Sequence, residues 1–431
     1  MFHMGWFVPG GGVQGWGTKW AGSIGNNWMF PDLYIDMCRA LESACFDYII
    51  VEDSLMVADT FRGSMEYALK HAQTAPKNDP LPMLPLLAQP TSHIGLIGTI
   101  TSTFYPPFTA ARLATTLDHL TRGRVGLNVV TASSHRSAQN YGLEKHIAHD
   151  ERYAMADEWM QVCDALWNSW EPDAVVLDEE HGIFADYTKV HTIDFKGKYY
   201  ACRGPLNTVP GPQRRPVICQ AGGSAAGRAF AAKHADTILS SVSDVEGMKE
   251  YRADITRRML GHGRDPQSCK VMFFARPILA ETDKEAKDIY ERRCTAEAKN
   301  LDTQLALMSY FSGVDMSQFD PDEPLPDLSS RINGHQGTMA DYAKSGKTLR
   351  EMATNRGGSR FNRLVGSPDT VSAIMGETMQ EVGGDGFLIA SPVTRKAVGE
   401  IADGLAPALR RRGLMRTGYG HKHFRDNLLE F

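Results

Sequence analysis

Short apolar runs alternate with helix-length amphipathic segments eight times along this chain, and few folds accommodate that alternation. The runs are HMGWFV, FDYIIVED, IGLIGTITST, RVGLNVVTAS, PVICQAGG, ADTILSS, KVMFFARPILA and DGFLIAS. Several are apolar at successive positions, as strands are when a parallel sheet is covered on both faces. The intervening segments have helical spacing. Pro31 to Ala44 places Leu33, Met37, Ala40 and Leu41 on one face. PPFTAARLATTLDHLT starts on proline and stops before Arg-Gly. Asp150 to Trp170 reads as a long amphipathic helix, and others start near Ser224, Asp244, Thr282, Ser367 and Thr394. The pattern predicts a (β/α)8 TIM barrel, one domain over residues 1–431 with insertions near 57–92, 171–215 and 300–365. A doubly wound open sheet is the alternative, but no GxGxxG follows the first strand. The first and third insertions are expected after strands two and seven, on the C-terminal face where barrel active sites form.

Composition narrows the classes further. Hydrophobic residues are 42% and charged residues 23%, with a net charge of −5, so no broad basic face is expected for nucleic acid or anionic lipid. No apolar stretch approaches the roughly 20 residues of a membrane span. MFHMGWFVPGGG lacks the basic and long apolar regions of a secretion signal. A cytoplasmic protein without membrane or nucleic-acid partners is expected. The seven cysteines form no CxxC pair and no Cys/His cluster with zinc spacing, so neither a disulfide framework nor a metal is expected.

The chemistry-bearing residues fall at predicted strand ends. In QAGGSAAG a strand stops at a glycine pair and a helix follows. Free backbone N–H groups and the helix dipole make such a turn a site for an anion, although small residues also serve helix–sheet packing. HDERYAMADEWM places His149 and Tyr153 on one face at a helix start, where both could reach a phosphate or form an ordinary first turn. Asn128 interrupts the apolar run GLNVV, and a buried amide needs a partner, from backbone or from a heterocycle. VEDSL and TITST end two more strands in polar groups. Four strand ends thus carry polar residues toward one mouth.

Several long stretches in order carry a resemblance. GTITSTFYPPFTAARLATTLDHLTRGRVGLNVVTASS, NYG, HDERYAMADEWMQVCDALWNSWEPDA, HTIDFKGKYYACRGPLNTVPGPQRRPVICQAGGSAAGRAFAA, YFSGVDMSQFDPDEPLP and RLVGSPDTVSAIMGETMQEVGGDGFLI resemble the bacterial luciferase-like flavin-dependent monooxygenases. The closest branch looks like the large components of nitrilotriacetate and dibenzothiophene sulfone monooxygenases. The resemblance implies a (β/α)8 barrel that takes reduced FMN as a diffusible co-substrate from a separate NAD(P)H:flavin reductase. It implies reaction with O2 and oxygenation of a small organic substrate through a peroxyflavin. Carried over by motif, Asp53, Thr101, Asn128, Val130 and Thr131 would lie near the isoalloxazine. His149 and Tyr153 would reach the ribityl-phosphate end, and Ala221, Gly222, Gly223 and Ser224 would hold the phosphate. A homo-oligomer, dimer or tetramer, is expected.

The chain also departs from that branch. Ala132 stands where relatives often carry serine, with Ser133 next to it, and Phe195 stands where they often carry histidine. The loop after the first strand, GGVQGWGTKWAGSIGNNW, lacks the histidine and the Ala-Trp-Arg motif of relatives, and Lys19 is its only charge. A polyanionic substrate would want several paired cations. The expected substrate is therefore neutral or weakly charged: aromatic, or bearing sulfur or halogen. Phe7, Trp16, Trp20, Tyr105 and His335 are the candidate substrate-side residues, and no acid or base is assigned. Two other functions fit the same fold: a deazaflavin-dependent oxidoreductase and a non-catalytic flavin-binding barrel. A phosphosugar enzyme would need a lysine or carboxylate pair at strand ends, and no lysine ends strands two, three or four. The segment near 300–365 is expected to cover the flavin as a lid.

Overall fold

The computed structural model describes residues 1–9, 12–17, 20–326, 328, 346–354 and 364–431. Eight parallel strands close on themselves. They are β1 (His3–Val8), β2 (Tyr48–Val51), β3 (Gly95–Thr101), β4 (Val125–Val130), β5 (Val217–Gln220), β6 (Thr237–Ser240), β7 (Lys270–Ala275) and β8 (Gly386–Ile389). Each pairs in parallel with its sequence neighbours, and β8 pairs back to β1 through His3–Gly386. This is the (β/α)8 barrel that the alternation predicts.

Around it lie α1 (Asp32–Ser43), α2 (Pro80–Ala88), α3 (Pro107–Leu120), α4 (His149–Trp167), α5 (Ala225–His234), α6 (Val245–Gly261), α7 (Asp283–Lys299), α8 (Leu301–Ser312) and α9 (Pro368–Val382). The one from the Asp150–Trp170 expectation starts a residue early and stops at Trp167, where Asn168 caps it. The strand expected over FDYIIVED is shorter. It ends at Val51, and Glu52 and Asp53 follow it at the mouth, the Glu52 N–H still donating to the Val8 carbonyl at 2.9 Å. No described helix is long and apolar enough to cross a membrane.

The lower end of the barrel is closed by the C-terminal tail. Phe424 and Leu428 are fully buried against Tyr48, Ile97, Val217 and Met272. The Phe424 ring leaves no room at position 95: a Cβ there would sit 2.4 Å from the ring, so only glycine fits. Arg425 anchors the tail by two hydrogen bonds to Asp236, at 2.7 and 3.1 Å, and Arg215 adds a third at 3.0 Å. Burial alone would raise the Asp236 pKa, but the two guanidiniums outweigh it and hold the carboxyl below its usual range.

The insertions carry small elements of their own. The first and third meet at a separate apolar cluster that includes Phe61, Leu305, Met316 and Leu349. The second forms two antiparallel pairs, Val175–Asp178 with Ile183–Ala185 and Phe195–Lys196 with Ala201–Cys202.

Candidate functional site

The turn between β5 and α5 is packed to contact. Ser224 caps α5, its Oγ accepting the Gly227 N–H at 3.1 Å. A Cβ on Gly222 would lie 2.7 Å from both the Gly227 Cα and the Gln220 Oε1, and one on Gly227 would lie 2.8 Å from the Tyr153 hydroxyl. Glycine is required at both positions by close approach. Gly223 differs, because a Cβ there would meet nothing within 4 Å. The backbone at the α5 N-terminus is therefore held rigidly from behind and open in front. That is the arrangement that suits an anion on free N–H groups.

The start of α4 joins this turn. His149 Nε2 shares a 3.2 Å hydrogen bond with Ser224 Oγ, while its Nδ1 lies 2.7 Å from Asp150. The ring stands edge-on to Tyr153 at 5.1 Å, and Gln220 donates to the Tyr153 hydroxyl at 3.5 Å. Burial raises the Tyr153 pKa, so the phenol keeps its proton and can donate. An imidazole, a phenol and a serine hydroxyl thus surround one helix N-terminus.

The ends of β2, β3 and β4 form the other part of the mouth. Asn128 donates to Thr99 Oγ1 at 3.0 Å, and Thr99 donates to the Val51 carbonyl at 2.8 Å. This fixes the amide and turns Asn128 Oδ1 away from the ladder. That oxygen is buried with no hydrogen-bond partner among the described residues. A buried acceptor left unsatisfied costs about 1–3 kcal/mol, which a polar ligand edge would recover. Thr101 and Thr131 are buried nearby, Val130 is half-buried, and Thr103 Oγ1 donates to the Thr131 carbonyl at 2.9 Å. Ala132 follows in the left-handed region at φ 54°, an uncommon place for alanine and one typical of functional turns.

Asp53 lies in the same region. Its pKa is raised to about 6, chiefly by burial, opposed by Lys77 and reinforced by Glu52 and Asp79. Lys77 is nearly buried and forms an ion pair with Glu52. The carboxyl is thus poised to gain or lose a proton near neutrality.

The substrate-side candidates are more scattered. Phe7 is half-buried and packs edge-to-face on Phe274 at 5.1 Å. The Tyr105 carbonyl accepts the Trp159 indole N–H at 2.7 Å, and burial raises the pKa of its phenol. Trp16 and Trp20 are exposed, whereas Trp28 is buried. His335 lies outside the described residues, as does much of the expected lid; what is described of that segment includes α8 and a short helix at Leu349–Thr354.

Sequence reasoning passed over several residues. Gln220 ends β5 and bonds both Tyr153 and the Gly222 N–H. Tyr251, from α6, donates to the Gly222 carbonyl at 3.2 Å. His146 is buried beside Phe104, at 5.7 Å, and Phe104 stacks on Tyr141 at 4.1 Å. His146 Nδ1 accepts the Ile147 N–H at 3.1 Å, so a neutral ring carries its proton on Nε2. Nε2 faces the Thr131 backbone without a well-formed hydrogen bond. Burial, then Arg152 and His135, lower its pKa to about 4. The polar stretch NYGLEKHIAHDER holds no period that marks one histidine as buried, so only the fold reveals it.

Among the described residues no group of His, Cys, Asp and Glu could hold a metal ion. The mouth instead offers an open helix N-terminus at the start of α5 and a fixed amide with one free oxygen at β4. Residues 18–386 match the luciferase-like monooxygenase family, and the chain belongs to that family of enzymes. It is 37% identical over 403 residues to the dimethyl-sulfide monooxygenase of Hyphomicrobium sulfonivorans, covering 92% of this chain and 83% of that one. It is 33% identical to nitrilotriacetate monooxygenase component A of Aminobacter aminovorans, covering 92% and 89%. Among solved structures, riboflavin lyase with modified FMN and riboflavin superposes with a TM-score of 0.89 at 27% identity, covering 100% of this chain and 96% of that one.

Proposed function

We propose that this protein is the oxygenase component of a two-component, reduced-FMN-dependent monooxygenase. The observation that carries the reading is the meeting of His149, Tyr153 and Ser224 around the open backbone of Gly223 at the start of α5. These residues fit a 5′-phosphate, with Ala221 and Gly222 completing the turn. Asn128, with its free buried oxygen, fits a flavin edge of alternating donors and acceptors, flanked by Asp53, Thr101, Val130 and Thr131. When bound, reduced FMN would supply the chemistry that combines with O2 and passes one oxygen atom to the substrate.

The protein's own part is positioning and electrostatics. The α5 N-terminus and the neutral phenol of Tyr153 hold the anionic end. Thr99 keeps the Asn128 amide in one orientation. Asp53, with a pKa near 6, can hold or release a proton at the β2 end. The buried strand ends exclude water from the reacting face.

A separate NAD(P)H:flavin reductase is the proposed partner, a reading supported by the likeness to a protein named as component A. The proposed substrate is small and neutral or weakly charged, aromatic or bearing sulfur or halogen. Lys19 is the only charge in the loop after β1, and the likeness to a dimethyl-sulfide monooxygenase points the same way. The proposed location is cytoplasmic, where reductase and reduced nicotinamide are available.

The experiment supplies reduced FMN from a reductase and O2, then screens candidate substrates for products heavier by one oxygen atom. Without substrate, reduced FMN should be consumed with release of hydrogen peroxide, and a substrate should divert that flux. Turnover that needs no O2, or that runs on reduced deazaflavin and not on FMN, overturns the reading.

A further inference from the structure

One side chain behind the α5 turn is polar where the packing asks for an apolar one. Val217 and Cys219 of β5 pack in the barrel interior, and Ile218 packs outward against the helices. Side chains alternate along a strand, so Gln220 follows Ile218 onto the outward face. There it is only 2% exposed. A buried amide is costly unless both its oxygen and its amino group are bonded. Gln220 meets that condition with partners from two elements: the Gly222 N–H of the turn and the Tyr153 hydroxyl of α4. It also steadies the turn from behind, because Gly222 is then held at both ends, its N–H by Gln220 and its carbonyl by Tyr251 at 3.2 Å.

These partners fix which way the amide faces. A backbone N–H only donates, so the Gly222 N–H must meet the Gln220 Oε1. The amino group then faces the Tyr153 oxygen at 3.5 Å, and an amino group only donates. The phenol oxygen is therefore an acceptor on that side. The ring has little freedom of its own: it stands edge-on to His149 at 5.1 Å and tilted against Phe230 at 6.0 Å. With the ring held and one side of the oxygen taken, the phenolic proton points to the other side, where the Ser224 and Thr131 hydroxyls stand. Ser224 caps α5, so this is the side of the helix N-terminus.

We propose that Gln220 is a positioning residue for the anion site. It touches no ligand. It acts through Tyr153, keeping the phenolic proton aimed at an anion bound on the α5 N-terminus. The inference rests on the place proposed above for the FMN phosphate. Conjugation keeps a phenolic O–H near the ring plane, which leaves it two orientations. Without the Gln220 amino group the two become comparable, and the proton spends part of its time turned away from the anion. The effect falls on the phosphate and not on the flavin ring system, which is assigned to the ends of β2, β3 and β4.

The test is the ratio of FMN to riboflavin affinity, read by fluorescence titration, because the ratio isolates the phosphate. Gln220→Met removes both hydrogen bonds at nearly constant volume. Gln220→Glu keeps an acceptor for the Gly222 N–H, and so the turn, and removes only the donor to Tyr153. Each substitution should lower the ratio about tenfold more in the wild-type background than in a Tyr153→Phe background, where the hydroxyl it acts through is gone. The second background also subtracts whatever the new carboxylate does by its charge alone. In the flavin-free protein the Cζ resonance of isotope-labelled Tyr153, identified by its absence in Tyr153→Phe, should move in both Gln220 variants. Equal losses in the two backgrounds, a fall in FMN and riboflavin affinity together, or an unmoved resonance overturns the proposal. A wild type that binds both flavins alike overturns the phosphate reading and this proposal with it. A wild type that prefers FMN, with equal losses in the two backgrounds, overturns the proposal alone.

Discussion

His149 Nε2 and Ser224 Oγ lie 3.2 Å apart, which ties the first turn of α4 to the first turn of α5. Two residues 75 positions apart in the chain thus bring two helix N-termini to one point. If a flavin phosphate occupies that point, Tyr153→Phe should weaken reduced-FMN binding by about 1–3 kcal/mol, the loss of one hydrogen bond to a charged group. Ser224→Ala should do the same and also cost about 1 kcal/mol of stability through the lost cap. Riboflavin affinity should change little in either variant. Equal losses for FMN and riboflavin, measured by fluorescence titration, would count against a phosphate role.

Gly227→Ala should be disruptive out of proportion to one methyl group. The added Cβ would meet the Gly222 backbone and the Tyr153 hydroxyl, both at 2.8 Å. Overpacking of this kind costs about 1–3 kcal/mol. Gly223→Ala, where the Cβ meets nothing within 4 Å, should leave thermal stability nearly unchanged and block the open side instead. Melting temperatures and FMN affinities of the pair should therefore diverge in opposite senses: Gly227→Ala loses stability, and Gly223→Ala loses binding.

The buried carboxyl of Asp53 predicts a pH signature. Its folded pKa is about 6 against an ordinary 3.8, so the folded state binds that proton more tightly than the unfolded state. Ionisation is therefore a cost to folding that develops as pH rises from about 4 to 6 and is complete above 6. Asp53→Asn removes it. Above pH 6 the variant should be more stable by about 1–3 kcal/mol, and near pH 4 that advantage should vanish. Urea midpoints at the two pH values decide this. An advantage that is equal at both would show that the carboxyl is not held neutral by burial.

His146 has the opposite sign. Its folded pKa, near 4, lies below the ordinary 6.5, so the unfolded state takes up the proton first. Stability should fall as pH drops from 6.5 toward 4. In His146→Phe that part of the slope should be absent. His146→Gln, which keeps a donor in place of Nε2–H, should flatten the slope equally but retain more FMN affinity than the phenylalanine variant. If both variants bind FMN alike, the Nε2–H has no role at the β4 end.

At the bottom of the barrel, Arg425→Met should be severe. It leaves Asp236 buried with Arg215 as its remaining charged partner. Removing one member of such a pair costs about 3–5 kcal/mol, because a charge stays in place without full compensation. Gly95→Ala strikes the same contact from the strand side, by driving a Cβ into the Phe424 ring. Denaturant unfolding should show both as large losses. A mild effect would mean that the tail only lies against the barrel without closing it.

The barrel was legible in the chain because parallel strands buried on both faces leave unbroken apolar runs, and the helices between them leave a 3.6-residue period. The eight runs named from the sequence are the eight strands, and Ser224 begins α5 as the polar cap after a glycine pair suggests. Glycine at 222 and serine at 224 also pointed to an anion site, since a close backbone approach and a cap are local properties. What the sequence could not yield is which distant groups share a space. That His149 meets Ser224, that Asn128 is turned by Thr99 so that one oxygen is left over, and that Asp53 is raised to about 6 depend on barrel closure and on burial, which are cooperative. His146 shows the limit plainly, for its neighbours in sequence are polar and its neighbours in space are Phe104, Tyr141 and Arg152. The exposed side chains at Val176 and Phe184 show it from the other side. Only the tertiary structure places these apolar side chains outside, on a hairpin that follows the last turn of α4 and that no described layer of the chain covers.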